Sequence, residues 1–96
     1  MSLTKQQIRK LRALAHHLKP VVMVGQHGLG DAVMREVEIA LDAHELIKIK
    51  LAGMEKNDRQ DSARRICADT GAEPIQQIGH MLTIYRRNPD NTKIAV

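Results

Sequence analysis

The sequence has almost no aromatic residues and almost no cysteine. None of its 96 residues is Phe or Trp, and Tyr85 is the single tyrosine. Such a chain cannot build the multi-aromatic platform on which RRM and many OB folds stack nucleobases. The lone Cys67 excludes an internal disulfide and a multi-cysteine zinc site, and it suits a reducing compartment. With no apolar run long enough for a membrane span or a secretory signal, we expect a cytoplasmic protein without a membrane partner.

Acidic residues are missing from the first thirty positions. That segment carries Lys5, Arg9, Lys10, Arg12 and Lys19, a charge of +5. Residues 31–79 contain seven basic and ten acidic residues, a charge of −3, and residues 80–96 add +2, which gives the net charge of +4. A basic beginning and end around an acidic middle indicate a polarised surface suited to a polyanion.

Seven elements in the order α-β-α-β-α-β-β follow from the hydrophobic periodicity. They predict a single small α/β domain over residues 1–96, with a mixed four-stranded sheet and a tail at 87–96 that is either flexible or an added edge strand. The first expected helix begins after a capping box at Thr4 and ends before Pro20. The second runs from Asp31 to Ala43, and the third runs from an N-cap at Asp58 to Thr70. The expected strands are 21–24, 46–51, 75–78 and 81–86, with a two-residue type II′ turn at Gly79-His80.

The glycine segment Gly25-Gln26-His27-Gly28-Leu29-Gly30 joins the first strand to the second helix. Such a turn offers backbone N–H groups that the helix cannot satisfy, at the positive end of the helix dipole. Asp31-Ala32 stand where a Walker loop needs Lys and Ser/Thr, and the glycine order is not that of a dinucleotide fingerprint. The remaining functional interpretation is a G-x-x-G clamp on a nucleic-acid backbone, formed by Gly25, Gln26, His27 and Gly28. The alternative is a tight connection whose glycines serve geometry alone.

Basic residues of the first helix are in register with one another. At about 100° per residue, five of them fall within an arc of about 80° beside the apolar stripe. We call this set the basic ridge. A solvated helix face usually mixes charge signs, and this one has no acid, so a phosphate-binding role is favoured. The ridge consists of Lys5, Arg9, Arg12, His16 and Lys19.

Several stretches together resemble the CRM-domain family, whose stand-alone bacterial members are the YhbY-like proteins. The resemblance runs from Thr4 to about Arg86 and rests on Leu18-Lys19-Pro20-Val21-Val22, Val24 to Leu29, His44-Glu45-Leu46-Ile47-Lys48 and Thr70-Gly71-Ala72. It implies a fold similar to the C-terminal domain of translation initiation factor three. It also implies RNA binding, association with precursors of the large ribosomal subunit, and a G-x-x-G loop at Gly25–Gly28 beside a basic surface. Gly30 departs from the family, where a threonine is common and would cap the second helix.

Recognition is expected to depend on phosphate, ribose and RNA shape, with affinity falling steeply as salt rises. Arg86 and Arg87, at the end of the last strand, are assigned to the same RNA surface. We expect a monomer that needs no cofactor and no metal.

Two other classes of function stay open. An enzyme acting on a phosphoester would use His27 as acid or base, but no carboxylate partner is evident and the histidines lack zinc-site spacing. A protein-binding adaptor would use the acidic second helix. DNA binding is a further possibility, because phosphate contacts alone do not distinguish RNA from DNA.

Overall fold

A computed structural model describes residues 3–25 and 28–96 of the chain. Three helices and four strands alternate along this part in the expected order. The helices are α1 (Lys5–Ala15), α2 (Asp31–His44) and α3 (Lys56–Thr70). The strands are β1 (Pro20–Val24), β2 (Leu46–Leu51), β3 (Glu73–Ile78) and β4 (Met81–Tyr85).

The strands form a mixed sheet in the order β1-β2-β4-β3. β1 runs parallel to β2, whereas β4 is antiparallel to both β2 and β3. The β3–β4 hairpin turns at Gly79-His80. Gly79 has a φ of +54° and His80 does not have a positive φ, which is the pattern that a type II′ turn requires. Pro74 lies on β3, an edge strand, where its missing N–H breaks no inner ladder.

Each face of the sheet has its own apolar cluster. α2 and α3 cover one face, where Val24, Val37, Leu41, Ile49 and others are fully buried. α1 crosses part of the other face, over a smaller cluster that includes Leu11, Ala15, Leu46, Ile75 and Tyr85. The alternation along β2 explains this division, because Ile47, Ile49 and Leu51 point to the larger cluster while Lys48 and Lys50 point to the α1 side. The α1 side is therefore only partly covered.

Two helix boundaries differ from the sequence prediction by more than one residue. α1 begins with the expected capping box, in which Thr4 and Gln7 exchange hydrogen bonds, but it ends at Ala15 rather than just before Pro20. α3 begins at Lys56 with Glu55 as the N-cap residue, so Asp58 lies in the first turn instead of capping it. A carboxylate in the first turn still stabilises a helix through its dipole, which is why Asp58 is acceptable there.

The C-terminal segment is neither a free tail nor an added strand. The carboxylate of Glu45 is fully buried and accepts backbone N–H bonds from Asn88 (2.7 Å), Lys93 (2.6 Å) and Ile94 (2.8 Å). Burial by itself raises the pKa of the Glu45 carboxyl, but these three donors and the nearby Arg87 charge outweigh it and lower that pKa below its ordinary value of 4.5. Residues 88–94 are thereby fixed to the domain. Lys10 Nζ also donates a hydrogen bond to the carbonyl oxygen of Ala95.

No helix within residues 3–25 and 28–96 is long and apolar enough to span a bilayer.

Candidate nucleic-acid interface

The glycine loop lies at the end of the sheet where β1 and β2 finish. Gly28 has a φ of +77°, a conformation that glycine adopts without strain, and its N–H donates to the carbonyl of Gly25 at 3.1 Å. Gly30 is the N-cap residue of α2, and no side chain caps that helix. The first N–H groups of α2 therefore have no partner within the helix, and no side chain of residues 3–25 or 28–96 caps them.

Space beside the glycines is open. A Cβ atom built on Gly25, Gly28 or Gly30 would meet no non-neighbouring atom of the described residues within 4 Å. Backbone conformation explains why residue 28 is glycine, but it does not explain residues 25 and 30, since neither has a positive φ. Glycine is one of the residue types that favour an N-cap position, so Gly30 fits its place, whereas geometry and packing among the described residues leave Gly25 unaccounted for. An unexplained glycine beside open space is expected where an external ligand comes close to the backbone.

Four of the predicted ridge residues lie on one exposed face of α1. Lys5, Arg9, Arg12 and His16 are all exposed, while Leu11 and Ala15 of the same helix are buried against the sheet. His16 keeps αR geometry at the helix end (φ −56°, ψ −29°), so the helical spacing still applies to it. Among the described residues, the ion pairs involve Arg64, Arg65 and Arg86, and none involves a residue of α1. The side chains of these ridge residues are therefore available to an outside anion.

Lys19 does not belong to the ridge. Because α1 ends at Ala15, residue 19 lies in the connection to β1 and the helical arc does not reach it. It lines a different hollow of about 470 Å³ on the opposite flank of α1, together with Leu14, Leu18 and Val21. The same geometry leaves Leu14 and Leu18 about 40% exposed, although both continue the helical spacing of the buried Leu11.

A cleft of about 200 Å³ separates the ridge from the uncovered part of the sheet. Arg12 and His16 line it from α1, and Lys48 lines it from β2. Arg12 is positioned by a hydrogen bond from its Nε to the carbonyl of Ile75 (3.1 Å), which occupies one of its five donors. Alternation along β2 places Lys48 on the wetter face of that strand, and the cleft shows that this face lies beside the ridge.

Arg86 does not join this surface. Its guanidinium lies on the α2 side, where it contacts Glu38 at 2.7 Å, Asp42 at 2.8 Å and the carbonyl of Thr70 at 2.9 Å. With only 21% of its side chain exposed, Arg86 ties the end of β4 to α2 and α3. Arg87 is exposed but lies at the opposite end of the sheet from the glycine loop. The structure thus uses Arg86 in internal ion pairs and places Arg87 away from the glycine loop, in a hollow that it shares with Gln7 of α1.

Gln26 and His27, the central pair of the predicted clamp, lie outside the described residues. Within the described part, no group of three or more His, Cys, Asp or Glu side chains is arranged to hold a metal ion. Cys67 is half-buried against the larger cluster, and burial raises the pKa of its thiol. A thiol in that state is a core side chain rather than a nucleophile.

Together, the fold and this surface define a class of small α/β domain with an uncapped glycine junction at one end of its sheet and a basic helix across one face. The sequence profile of the CRS1 / YhbY (CRM) domain matches residues 3–86. The chain belongs to that family, as its sequence motifs indicated.

Known proteins of several bacteria are similar over nearly the whole length. The chain is 43% identical over 93 residues to "Probable RNA-binding protein PA4753" of Pseudomonas aeruginosa, covering 97% of this chain and 89% of that protein. An "RNA-binding protein" of Haemophilus influenzae is 46% identical over 85 residues, covering 88% and 86%. The solution structure of protein SAV1595 from Staphylococcus aureus superimposes with a TM-score of 0.84 at 32% identity, covering 99% of both chains.

Proposed function

We propose that this protein binds RNA through its sugar-phosphate backbone. Gly25–Gly28 and the first N–H groups of α2 hold one phosphate region, and Lys5, Arg9, Arg12 and His16 hold a neighbouring one. Membership of the CRM family and the names of its relatives support RNA as the ligand. The observation that carries the site is the open space beside Gly25 and Gly30, where no non-neighbouring atom of the described residues lies within 4 Å of a built Cβ.

The distribution of charge supports the same face. α1 has four basic residues and no acid, whereas α2 has four acidic residues. Phosphate contacts provide most of the sequence-independent affinity for nucleic acid, so a strand should lie on the α1 side and avoid α2. Gln26 and His27 enter the proposal as donors from the sequence alone.

Within the cell, the proposed role is that of a cytoplasmic assembly factor acting as a monomer on precursors of the large ribosomal subunit. This role comes from the family resemblance, and no residue of the site specifies it. The test is crosslinking in cells followed by sequencing of the attached RNA. We expect enrichment of precursor large-subunit RNA over mature RNA and mRNA. Enrichment of other RNA classes would contradict the assembly role and leave RNA binding intact.

The adaptor alternative loses support from the structure. Two of the four acidic residues of α2, Glu38 and Asp42, are already paired with Arg86. A partner that recognises acidic groups would have to compete with these internal pairs. Association with a protein that survives nuclease treatment would nevertheless favour the adaptor over RNA tethering.

A further inference from the structure

The uncovered part of the sheet on the α1 side is a defined surface, which we call the open face. The strand register aligns Met23, Lys50, Met81 and Ile78 in one row across all four strands. A second row, beside α1, contains Lys48, Thr83 and Gln76. Since neighbouring strands are about 4.8 Å apart, the first row is about 14 Å wide.

Apolar side chains on the open face are unusually exposed. Met23 is 60% exposed and Ile78 is 65% exposed, at positions where a one-sided sheet normally presents polar residues to water. Both belong to the same row and share it with Met81. Met81 and Ile78 are neighbours in the row, and Lys50 separates them from Met23. Exposed apolar side chains grouped on one face of a small domain commonly mark a binding surface.

The charge of the open face indicates what binds there. Lys48 and Lys50 are its ionisable residues, and the two rows contain no acid. Apolar patches beside unopposed lysines suit a ligand that has both anionic groups and flat apolar surfaces, which is the chemistry of a nucleotide. A protein partner would need an acidic and apolar surface instead, and nothing in the described residues favours one.

The position of the open face favours a nucleotide ligand over a protein partner. The open face lies between the basic ridge, which borders it through Arg12 and His16, and the sheet end from which the glycine loop departs. The distance along the strand from Lys48 to the end of β2 is about 10 Å, at a rise of about 3.3 Å per residue. A strand that contacts both the ridge and the loop therefore has to cross the open face.

We infer that the open face binds a short unpaired segment of the RNA, with bases packed on Met23, Met81 and Ile78 and phosphates beside Lys48 and Lys50. This inference rests on the proposed function and adds its substrate class. Bases in a duplex are stacked and paired, so they cannot offer their apolar faces to these side chains. The lack of aromatic residues led us to expect recognition that depends on phosphate, ribose and RNA shape. Aliphatic packing adds base contact, but it does not read base identity, so discrimination among unpaired sequences stays weak.

The test uses the full chain with matched Thr substitutions. The double variant Met23→Thr with Ile78→Thr removes exposed apolar surface from strands in which Thr is well tolerated. Ile39→Thr is the control, because Ile39 is 62% exposed on α2, on the opposite side of the molecule. The probes are an unpaired oligoribonucleotide, the same strand annealed to its complement, and the same strand with abasic residues.

We expect the double variant to bind the unpaired probe roughly tenfold more weakly than wild type. Its affinity for the duplex and abasic probes, and the salt dependence of its binding, should be unchanged, and Ile39→Thr should match wild type throughout. An equal loss on all three probes, or no loss on the unpaired probe, would overturn the inference. Loss of a protein partner with unchanged RNA affinity would overturn it in favour of a protein ligand.

Failure of the open face and failure of RNA binding give different results. If wild type binds all probes and Gly28→Asp abolishes that binding while the double variant does not, the proposed function stands and the open face has no role. If wild type binds none of the probes at low salt, both proposals fail together.

Discussion

The two faces of the sheet use charge in opposite ways. On the α2 side, Arg86 contacts Glu38, Asp42 and the carbonyl of Thr70, so its charge is neutralised by partners within the fold. On the α1 side, Lys5, Arg9 and His16 have no ion-pair partner among the described residues. Net charge by segment had suggested a single basic surface made from both ends of the chain. The contrast shows that a basic side chain is available to an outside anion only where the fold leaves it unpaired.

The glycine junction should give the largest effect. We expect Gly28→Asp to weaken RNA binding by about a hundredfold, because it places a carboxylate in the open space that a phosphate would enter. Binding is measured with an unpaired oligoribonucleotide at low salt.

Gly71→Asp is the matched control for Gly28→Asp. Gly71 has a φ of +74°, has nothing within 4 Å of a built Cβ, and caps α3 at the other end of the sheet. The two variants share the backbone strain and the added charge. Equal loss of RNA binding in both would show that the effect of Gly28→Asp is not local to the loop.

In contrast to Gly28→Asp, the variant Arg86→Ala should lose stability and keep its RNA affinity. We expect it to lower the free energy of unfolding by about 1–3 kcal/mol, through loss of two partly exposed ion pairs and a hydrogen bond. Urea denaturation measures this loss. RNA affinity of the folded protein should change less than twofold, which would separate Arg86 from the ridge. A large drop in affinity with unchanged stability would return Arg86 to the RNA surface.

Glu45 provides a pH-dependent test of the contacts that fix residues 88–94 to the domain. A lowered folded-state pKa means that the Glu45 carboxylate stabilises the fold above the ordinary carboxyl pKa and loses that contribution as pH falls through the folded value. Glu45→Gln should cost about 1–2 kcal/mol at neutral pH. Wild type and variant should then converge in stability on acidification, as followed by urea midpoints. A constant difference down to low pH would contradict an ionised Glu45.

The ridge should give the smallest effect. Arg9→Ala removes one exposed cation, so affinity should fall by a few-fold and the slope of log K against log salt should flatten by about 0.7–0.9. Arg64→Ala is the control, since Arg64 is 74% exposed on α3 and is paired with Asp61. A flattened slope in both variants would mean that overall charge, and not the ridge, drives binding.

Local rules predicted much of the fold. Alternation gave the bounds of β2 correctly, the Thr4 capping box was confirmed, and so were the Gly79 turn and the mixed sheet. Each of these depends on residues within a few positions of one another. The glycine junction was also found locally, as a strand-to-helix turn.

Errors arose where distant contacts decide the outcome. No residue between Ala15 and Pro20 signals the early end of α1, so Lys19 was placed on a helix that it does not join. The buried Glu45 accepts bonds from residues 43 to 49 positions away, and the contacts of Arg86 with α2 span 44 to 48 positions. Periodicity cannot report such pairings. The open face depends in turn on the register of four strands, which becomes readable only once the sheet is assembled.

The central claim is that uncapped amides at the start of α2 bind a phosphate. Residue 30 tests it most directly, because Gly30 has N-cap geometry (φ −86°, ψ 171°) and open space around its Cβ position. Gly30→Asn and Gly30→Asp should both cap α2 and raise stability by a few tenths of a kcal/mol. Only Gly30→Asp adds a negative charge, so it alone should lose about tenfold or more in RNA affinity. Equal RNA affinity of the two variants would contradict the phosphate site.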